Sequence, residues 1–522
     1  MKLFHLVCLL LLTSSLAHAQ DAHIDPYPLA SIYKPSEFFT VTVNNQAVPV
    51  VDYNGKYDYA GFAMSDGMAE IVVRIPEGKS ITHYSISPRT LNIPARIAGR
   101  ELHFTISQTS PLIIKINGMR ELVLNADSVE TDRPPAGGPG IFAIKAKANS
   151  HKPATRYIQQ AIDDASAFKG GIVYIPAGVY ITGNLKLKSN CSVYLEPGAV
   201  LLFSGRKKDY TVHAHKVSQK RDITWWIATD SGAENIKIYG RGTLDGNGKF
   251  ATEQGGIGNH ILAVMAASNV KLNGPLLRNS GAWGFIVVRS SHVRISNFRI
   301  FNRFDMGEND GMDIMESEDV LVHNGIGIAL DDPFSTKTWK QDTDLCRNWP
   351  GQPKPQRNIV FDKLVSWTYC YAFKIGQGVM QPQTNISFRN SVVYDAAVGI
   401  GVHHKWGTSY VDNVKFENID IERLSYQNDD HRTWCVLFLQ NGDKKGSGPV
   451  SGIDISNINI YDAGKSPGKV KGVNESTTVS HVSFHNIKLM NSGKYAATLE
   501  EMNIRDTLFS RDIRVNGVVQ KN

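Results

Sequence analysis

Between Phe39 and Ile116 apolar and polar residues alternate in short runs: Phe39–Val43, Ala69–Ile75, Leu102–Ile106 and Leu112–Ile116. Asn-Gln, Pro-Glu-Gly and Asn-Gly turns part them. Period-two alternation over so few residues marks half-buried strands, and 20–130 is read as a small β-sandwich. Asp132–Gly140, Asp-Arg-Pro-Pro-Ala-Gly-Gly-Pro-Gly, breaks every period and places a linker at 131–150. Behind it Tyr157, Ile158, Ala161, Ile162 and Ala165 recur at helical spacing, with Thr155 placed to cap the first turn. This helix is expected to cover the N-terminal end of the C-terminal body.

That body is a repeat. A polar residue and then apolar-x-apolar recurs with its first apolar position at Ile236, Val270, Val293, Val320, Ile359, Ile386, Val414, Ile453 and Val482. Four residues after six of these stands an asparagine: Asn297, Asn324, Asn390, Asn418, Asn457 and Asn486. Spacings of 23 to 39 residues, with no helix in each unit, suit neither propeller blades nor leucine-rich repeats. They fit coils of a parallel β-helix, whose inward residues stack into one apolar column. Asparagine suits the corners because it tolerates the left-handed backbone and bonds its neighbour in the stack. The fold class is therefore all-β, a right-handed parallel β-helix over 151–522 preceded by the sandwich.

Composition narrows the class further. At 42% hydrophobic and 20% charged over 522 residues the chain is globular rather than disordered. Met1-Lys2, the apolar run Leu3–Leu12 and Ala17-His18-Ala19 form the three zones of a secretory leader over 1–19. The mature protein is expected to start at Gln20 and to be periplasmic or extracellular. Cys8 lies inside the apolar zone, so a lipid anchor is not expected, and no later run is long enough for membrane insertion. The formal charge of +7 is scattered, which argues against nucleic acid as a partner. Cys191, Cys346, Cys370 and Cys435 show no Cys-x-x-Cys spacing, so no zinc site is expected, although one disulfide has room to form. No organic cofactor motif is present.

The chemistry is carried by carboxylates at coil spacing. Asp310 and the Asp331-Asp332 pair end successive repeats, 21 residues apart, which would stack them on one outer face. Like charges held together split into a protonated acid and ionised bases, as glycosidic bond cleavage requires. Neighbours in a strand point to opposite faces, so both members of the pair reach one cleft only at a strand end or bulge, which Pro333 favours.

These residues resemble glycoside hydrolase family 28, the polygalacturonases, and its clan relative family 49, the dextranases and isopullulanases. Gly170–Tyr180, Leu185–Asn190, Leu195–Val200 and Gly240–Gly248 are similar to the first coils of family 28, and Asn309-Asp310-Gly311-Met312-Asp313 to its Asn-Thr-Asp-Gly-x-Asp segment. The resemblance implies a β-helical, inverting hydrolase with Asp331 as general acid and Asp310 and Asp332 activating water. The likeness to family 49 is in the added sandwich. Two departures stand out. The histidine of the family's Gly-His-Gly is replaced by Tyr371, and its Arg-Ile-Lys, which holds a substrate carboxylate, aligns with Gly401-Val402-His403. His404 and Lys405 are candidate replacements, and a neutral sugar is the other reading.

Phe334, Lys337, Trp339, Tyr371, Lys374, His403, His404 and Trp406 are expected around the cleft, since aromatic faces and lysine or histidine suit sugar subsites. The insertion Lys340–Gln356 is expected to form a loop over one side, and Asn428–Arg432 hints at another. The expected partner is a polysaccharide or oligosaccharide. Two alternatives remain: a β-helix lyase with Lys337 as base, and a carbohydrate-binding solenoid without turnover.

Overall fold

Ile236, Val270, Val293, Val320, Ile359, Ile386, Val414, Ile453 and Val482 stand one above another, each the register partner of the next. Ile513 extends the column by one coil. The computed structural model describes residues 20–341, 343–425 and 432–520. The leader and positions 428–431 of the second suggested cleft loop lie outside these residues.

The residue four places after each column position turns the corner. Gly240, Gly274, Asn297, Asn324, Lys363, Asn390, Asn418, Asn457, Asn486 and Gly517 all have φ between 51° and 106°. Glycine and asparagine occupy nine of these ten places because a left-handed backbone costs them least. The asparagines also form a ladder: Asn324 Nδ2 donates to Asn297 Oδ1 at 2.7 Å, Asn418 to Asn390 at 2.9 Å and Asn457 to Asn418 at 3.0 Å. At Lys363 the ladder is broken, and Asn390 donates to Asp362 instead.

The coils form a 19-stranded sheet, bent at these corners, and a 12-stranded sheet that carries the site. Their inward residues enclose one continuous apolar core. The helix Thr155–Ala167 buries Ile158, Ala161, Ile162 and Ala165 against the first coils. Two details differ from expectation. Tyr157 sits at the rim of the stripe and is 44% exposed. Thr155 is already helical and makes no cap; its hydroxyl accepts from Gly183 N–H at 2.8 Å, tying the helix to a coil.

Between Ile24 and Ser128 two sheets, of six and five strands, share a second core. The strand Ile141–Ala143 already pairs with Gly171–Ile175, so the β-helix takes over within the stretch assigned to the linker at 131–150. A third apolar cluster joins the two bodies: Tyr53, Tyr57 and Tyr59 pack on Phe301, Phe304 and Trp367. Tyr53 and Tyr57 hydroxyls donate to the carbonyls of Phe301 and Asn302 at 2.8 and 3.1 Å. The four cysteines 191, 346, 370 and 435 are unpaired.

Candidate functional site

The site lies where the chain passes from the 19-stranded sheet to the 12-stranded one. The strand Glu318–Ala329 ends, Leu330-Asp331-Asp332-Pro333 crosses the gap, and Phe334–Thr338 begins. Freed from strand alternation, Asp331 and Asp332 both reach the same cavity, of about 320 Å³, together with Asp310. Asn309 sets this turn: its Oδ1 accepts from Leu330 N–H at 3.0 Å and Asp331 N–H at 3.3 Å. Asn302 Nδ2 in turn donates to Asn309 O at 2.8 Å. The register is 22 residues rather than 21, since Met312 pairs with Phe334 and Asp313 with Ser335. Asp310 therefore stacks below Asp332, not Asp331.

Two lysines stand among the carboxylates. Lys374 Nζ lies 2.7 Å from Asp332 Oδ2. Lys337 Nζ lies 2.6 Å from Asp310 and 2.9 Å from Asp313, and all of these side chains are buried. Burial and the negative charge of Asp332 push the Asp331 carboxyl up. Asp332 is also buried, yet the ammonium groups of Lys374 and Lys337 hold it below the ordinary carboxylate range. Adjacent residues thus titrate in opposite directions, which separates an acid from a base. Burial raises Asp310 and Asp313 despite Lys337, because one ammonium cannot neutralise two buried carboxylates. Their joint charge holds Lys337 protonated.

Asp313 is the site residue that sequence reading left unassigned. Alternation finds it: Met312 and Ile314 belong to the core, so Asp313 points out of it, onto Lys337. Glu308, two residues before Asp310, also lines the cavity, as do Trp283, Lys216 and Lys445, which come from separate parts of the chain and carry no local signal. Trp339 is present as expected, 5.2 Å from Trp406 and 6.3 Å from Trp283 between ring centroids. The inserted loop after it supplies Lys340, Thr343 and Asp344 to an adjoining cavity of about 550 Å³.

Other expectations are corrected. Phe334 is fully buried in the core, as the first inward residue of its strand. His404 likewise points inward, in phase with Val402; its Nε2 stands 2.9 Å from Gly407 O and 3.3 Å from Gly448 N, a structural role. His403 faces out and stacks between Tyr371 and Phe438, beside the cavity rather than in it. Burial pushes both imidazoles down to about 4, so neither is a cation at neutral pH. Tyr371 stands behind the pair, its backbone N–H donating to Asp332 Oδ1 at 3.3 Å.

Among the described residues one group carries metal-ligand types: Asp331, Asp332 and Cys370, with one ligand atom each within 4.8 Å. Burial and the two carboxylates push the Cys370 thiol well up, and Lys374 already satisfies Asp332. A protonated thiol beside an occupied carboxylate is a poor metal site.

Comparison with known proteins agrees with this geometry. The exo-poly-alpha-D-galacturonosidase of Dickeya chrysanthemi is 27% identical over 250 residues, covering 37% of this chain and 41% of that protein. A putative rhamnogalacturonase D of Aspergillus niger is 26% identical over 302 residues, covering 54% and 63%. The chain thus spans less than two thirds of the length of either relative. The solved family 28 exopolygalacturonase of Yersinia enterocolitica superposes with a TM-score of 0.57 at 18% identity, over 86% of this chain and 94% of that one. The polygalacturonase of Erwinia carotovora gives 0.52 at 18% identity, over 73% and 99%. These two share the right-handed β-helix. The model of Glycosyl hydrolases family 28 matches residues 167–506, more than half of the chain and all of the site. The chain belongs to glycoside hydrolase family 28.

Proposed function

We propose that the protein is an exported enzyme that hydrolyses the glycosidic bonds of a pectic polysaccharide with inversion. The observation that carries this is the opposite titration of neighbouring Asp331 and Asp332 in one cavity. Asp331, protonated, donates to the glycosidic oxygen as the bond to the anomeric carbon breaks. Asp332, ionised beside Lys374, accepts a proton from the water that attacks the opposite face of the ring. The attacking oxygen becomes the new anomeric hydroxyl, and the proton lost by Asp331 is replaced by the one taken up at Asp332. Asp310 stacks under Asp332 and tunes it through their shared Lys337. Export is supported by the leader pattern of residues 1–19.

Family membership and the galacturonan-acting and rhamnogalacturonan-acting names among the relatives support a pectic substrate. A neutral sugar at the cleavage point is the second reading, favoured by Gly401 where the family's clamp has arginine and by two uncharged histidines. Elimination is disfavoured, because Lys337, the candidate lyase base, is held protonated between two carboxylates.

The test is release of reducing ends from polygalacturonate, rhamnogalacturonan, dextran, pullulan and arabinogalactan, with Asp331→Asn as control. Reducing ends from a pectic polymer, absent with the variant, are expected. Ultraviolet-absorbing unsaturated products would move the protein to the lyases, and binding without turnover would make it a non-catalytic solenoid.

A further inference from the structure

We infer that the enzyme attacks its polymer from one end only, because the groove is closed on one side of the carboxylates. This rests on the hydrolase reading above and adds to it the mode of attack.

A β-helix offers an extended face along its axis, and a polysaccharide lying over that face must pass the carboxylates in both directions to be cut internally. Among the described residues the face is open on one side alone. In the strand Val398–Trp406, beyond the site, His403, Lys405 and Trp406 reach solvent. In the strands Ile257–Met265 and Phe285–Val288, before the site, every residue is buried on both faces. Of their outward side chains, Ala263, Met265, Ile286 and Val288 belong to a separate small apolar core outside the sheet, and His260 is buried under Trp283, whose carbonyl lies 2.6 Å from its Nδ1. Its lid has two parts. One is the hairpin around Ala214 and Ile223; the other is the inserted loop, through Leu345, Cys346 and Trp349.

The two parts come from opposite edges of the sheet and are joined across it. Val217 N–H donates to Asp344 Oδ1 at 3.0 Å, and Asn348 Nδ2 to His213 O at 2.7 Å. Lys216 stands 3.0 Å from Glu308 and 3.5 Å from Asp344. Three polar links between the two parts, Val217–Asp344, Asn348–His213 and Lys216–Asp344, over an apolar core make a fixed wall rather than a lid that opens, since exposing that core would cost its buried area. The wall is also near the chemistry. Lys337 Nζ lies 4.2 Å from the centroid of the Trp283 ring and 2.6 Å from Asp310 Oδ2, so wall, lysine and carboxylate are in direct contact and leave no gap for a polymer to pass on that side. A chain end fits such a blind pocket; the middle of a polymer does not.

The experiment tracks products with time on whichever polymer of the panel releases reducing ends. Size separation is expected to show one small sugar product from the first time point, with the viscosity of the solution almost unchanged while reducing ends accumulate. Oligomers carrying a fluorophore at the reducing end add a second measurement, since they should shorten stepwise or be blocked altogether. An early ladder of intermediate oligomers with a rapid fall in viscosity would overturn the inference while leaving the hydrolase reading intact. Absence of reducing ends from every polymer, with Asp331→Asn indistinguishable from the parent, would overturn the hydrolase reading and this inference with it.

Discussion

The ring of Tyr371 occupies the place of a side chain at position 401: a Cβ on Gly401 would stand 2.9 Å from Tyr371 Cε1 and 2.6 Å from Val436 O. The two departures from the family pattern are therefore one change, in which a larger residue at 371 requires the smallest at 401. Gly401→Ala is expected to destabilise the protein by about 1–3 kcal/mol, the cost of overpacking a tight site. Thermal melting reads it directly. The double variant Tyr371→His, Gly401→Ala removes the ring contact but keeps the 2.6 Å approach to Val436 O, so it should recover only part of the stability that Gly401→Ala loses. Full recovery would show that the ring alone sets the glycine, and no recovery that the Val436 carbonyl does.

Asp331 donates a proton in the proposed reaction; its turn is held by Asn309, and its own Oδ1 accepts from Asp332 N–H at 3.0 Å, a bond that an asparagine amide oxygen can keep. Asp331→Asn should therefore fold normally and lose about 10²–10⁴-fold in kcat. Unchanged melting with retained turnover would move the acid elsewhere, Asp310 being the next candidate.

Lys374 holds Asp332 ionised. A base works only in its charged form, so activity should fall as pH drops through the Asp332 pKa. Lys374→Met removes the ammonium while burial persists, so that pKa rises and the acid limb of the kcat/KM profile moves to higher pH. The same linkage acts on stability. A carboxylate with a lowered native pKa stabilises the fold above its unfolded pKa, and that contribution is lost on acidification through the native pKa. The variant should lose it at neutral pH, and the pH dependence of melting separates this from a purely catalytic effect.

Much of the fold was legible because the solenoid repeats its physics. Column residues Ile236 to Val482 and six corner asparagines could be placed by spacing alone, since each coil must bury the same face and turn the same corner. That Asp310, Asp331 and Asp332 come together was legible from coil spacing, with the register off by one residue. Asp313 was within reach of the alternation rule, as was the inward turn of His404, whose immediate neighbour His403 points outward. Trp283, Lys216 and Lys445 were not, because loops from separate coils bring them to the cavity and no periodicity links them. The wall was half-visible. The apolar runs Ile261–Met265 and Phe285–Val288 signal strands covered on both faces, but the identity of the cover depends on tertiary contacts between distant segments.

Glu422 gives the junction between sandwich and β-helix its own pH dependence. Its carboxylate accepts from Arg89 N–H at 2.6 Å, while the Arg89 guanidinium stays 3.7 Å away and half-exposed. Burial, only partly offset by these contacts, pushes Glu422 up to about 7. The native state thus holds a proton that the unfolded chain releases near its ordinary pKa of about 4.3. Stability from this group is complete below that value and is lost as pH rises through about 7. Glu422→Gln keeps the shape and an acceptor for Arg89 N–H but never ionises. Its melting temperature should match the parent near pH 4 and exceed it above pH 7, the stability difference reaching about 4 kcal/mol at most. Parallel melting curves for the two proteins across that range would show that the carboxyl is solvated at the junction and titrates normally.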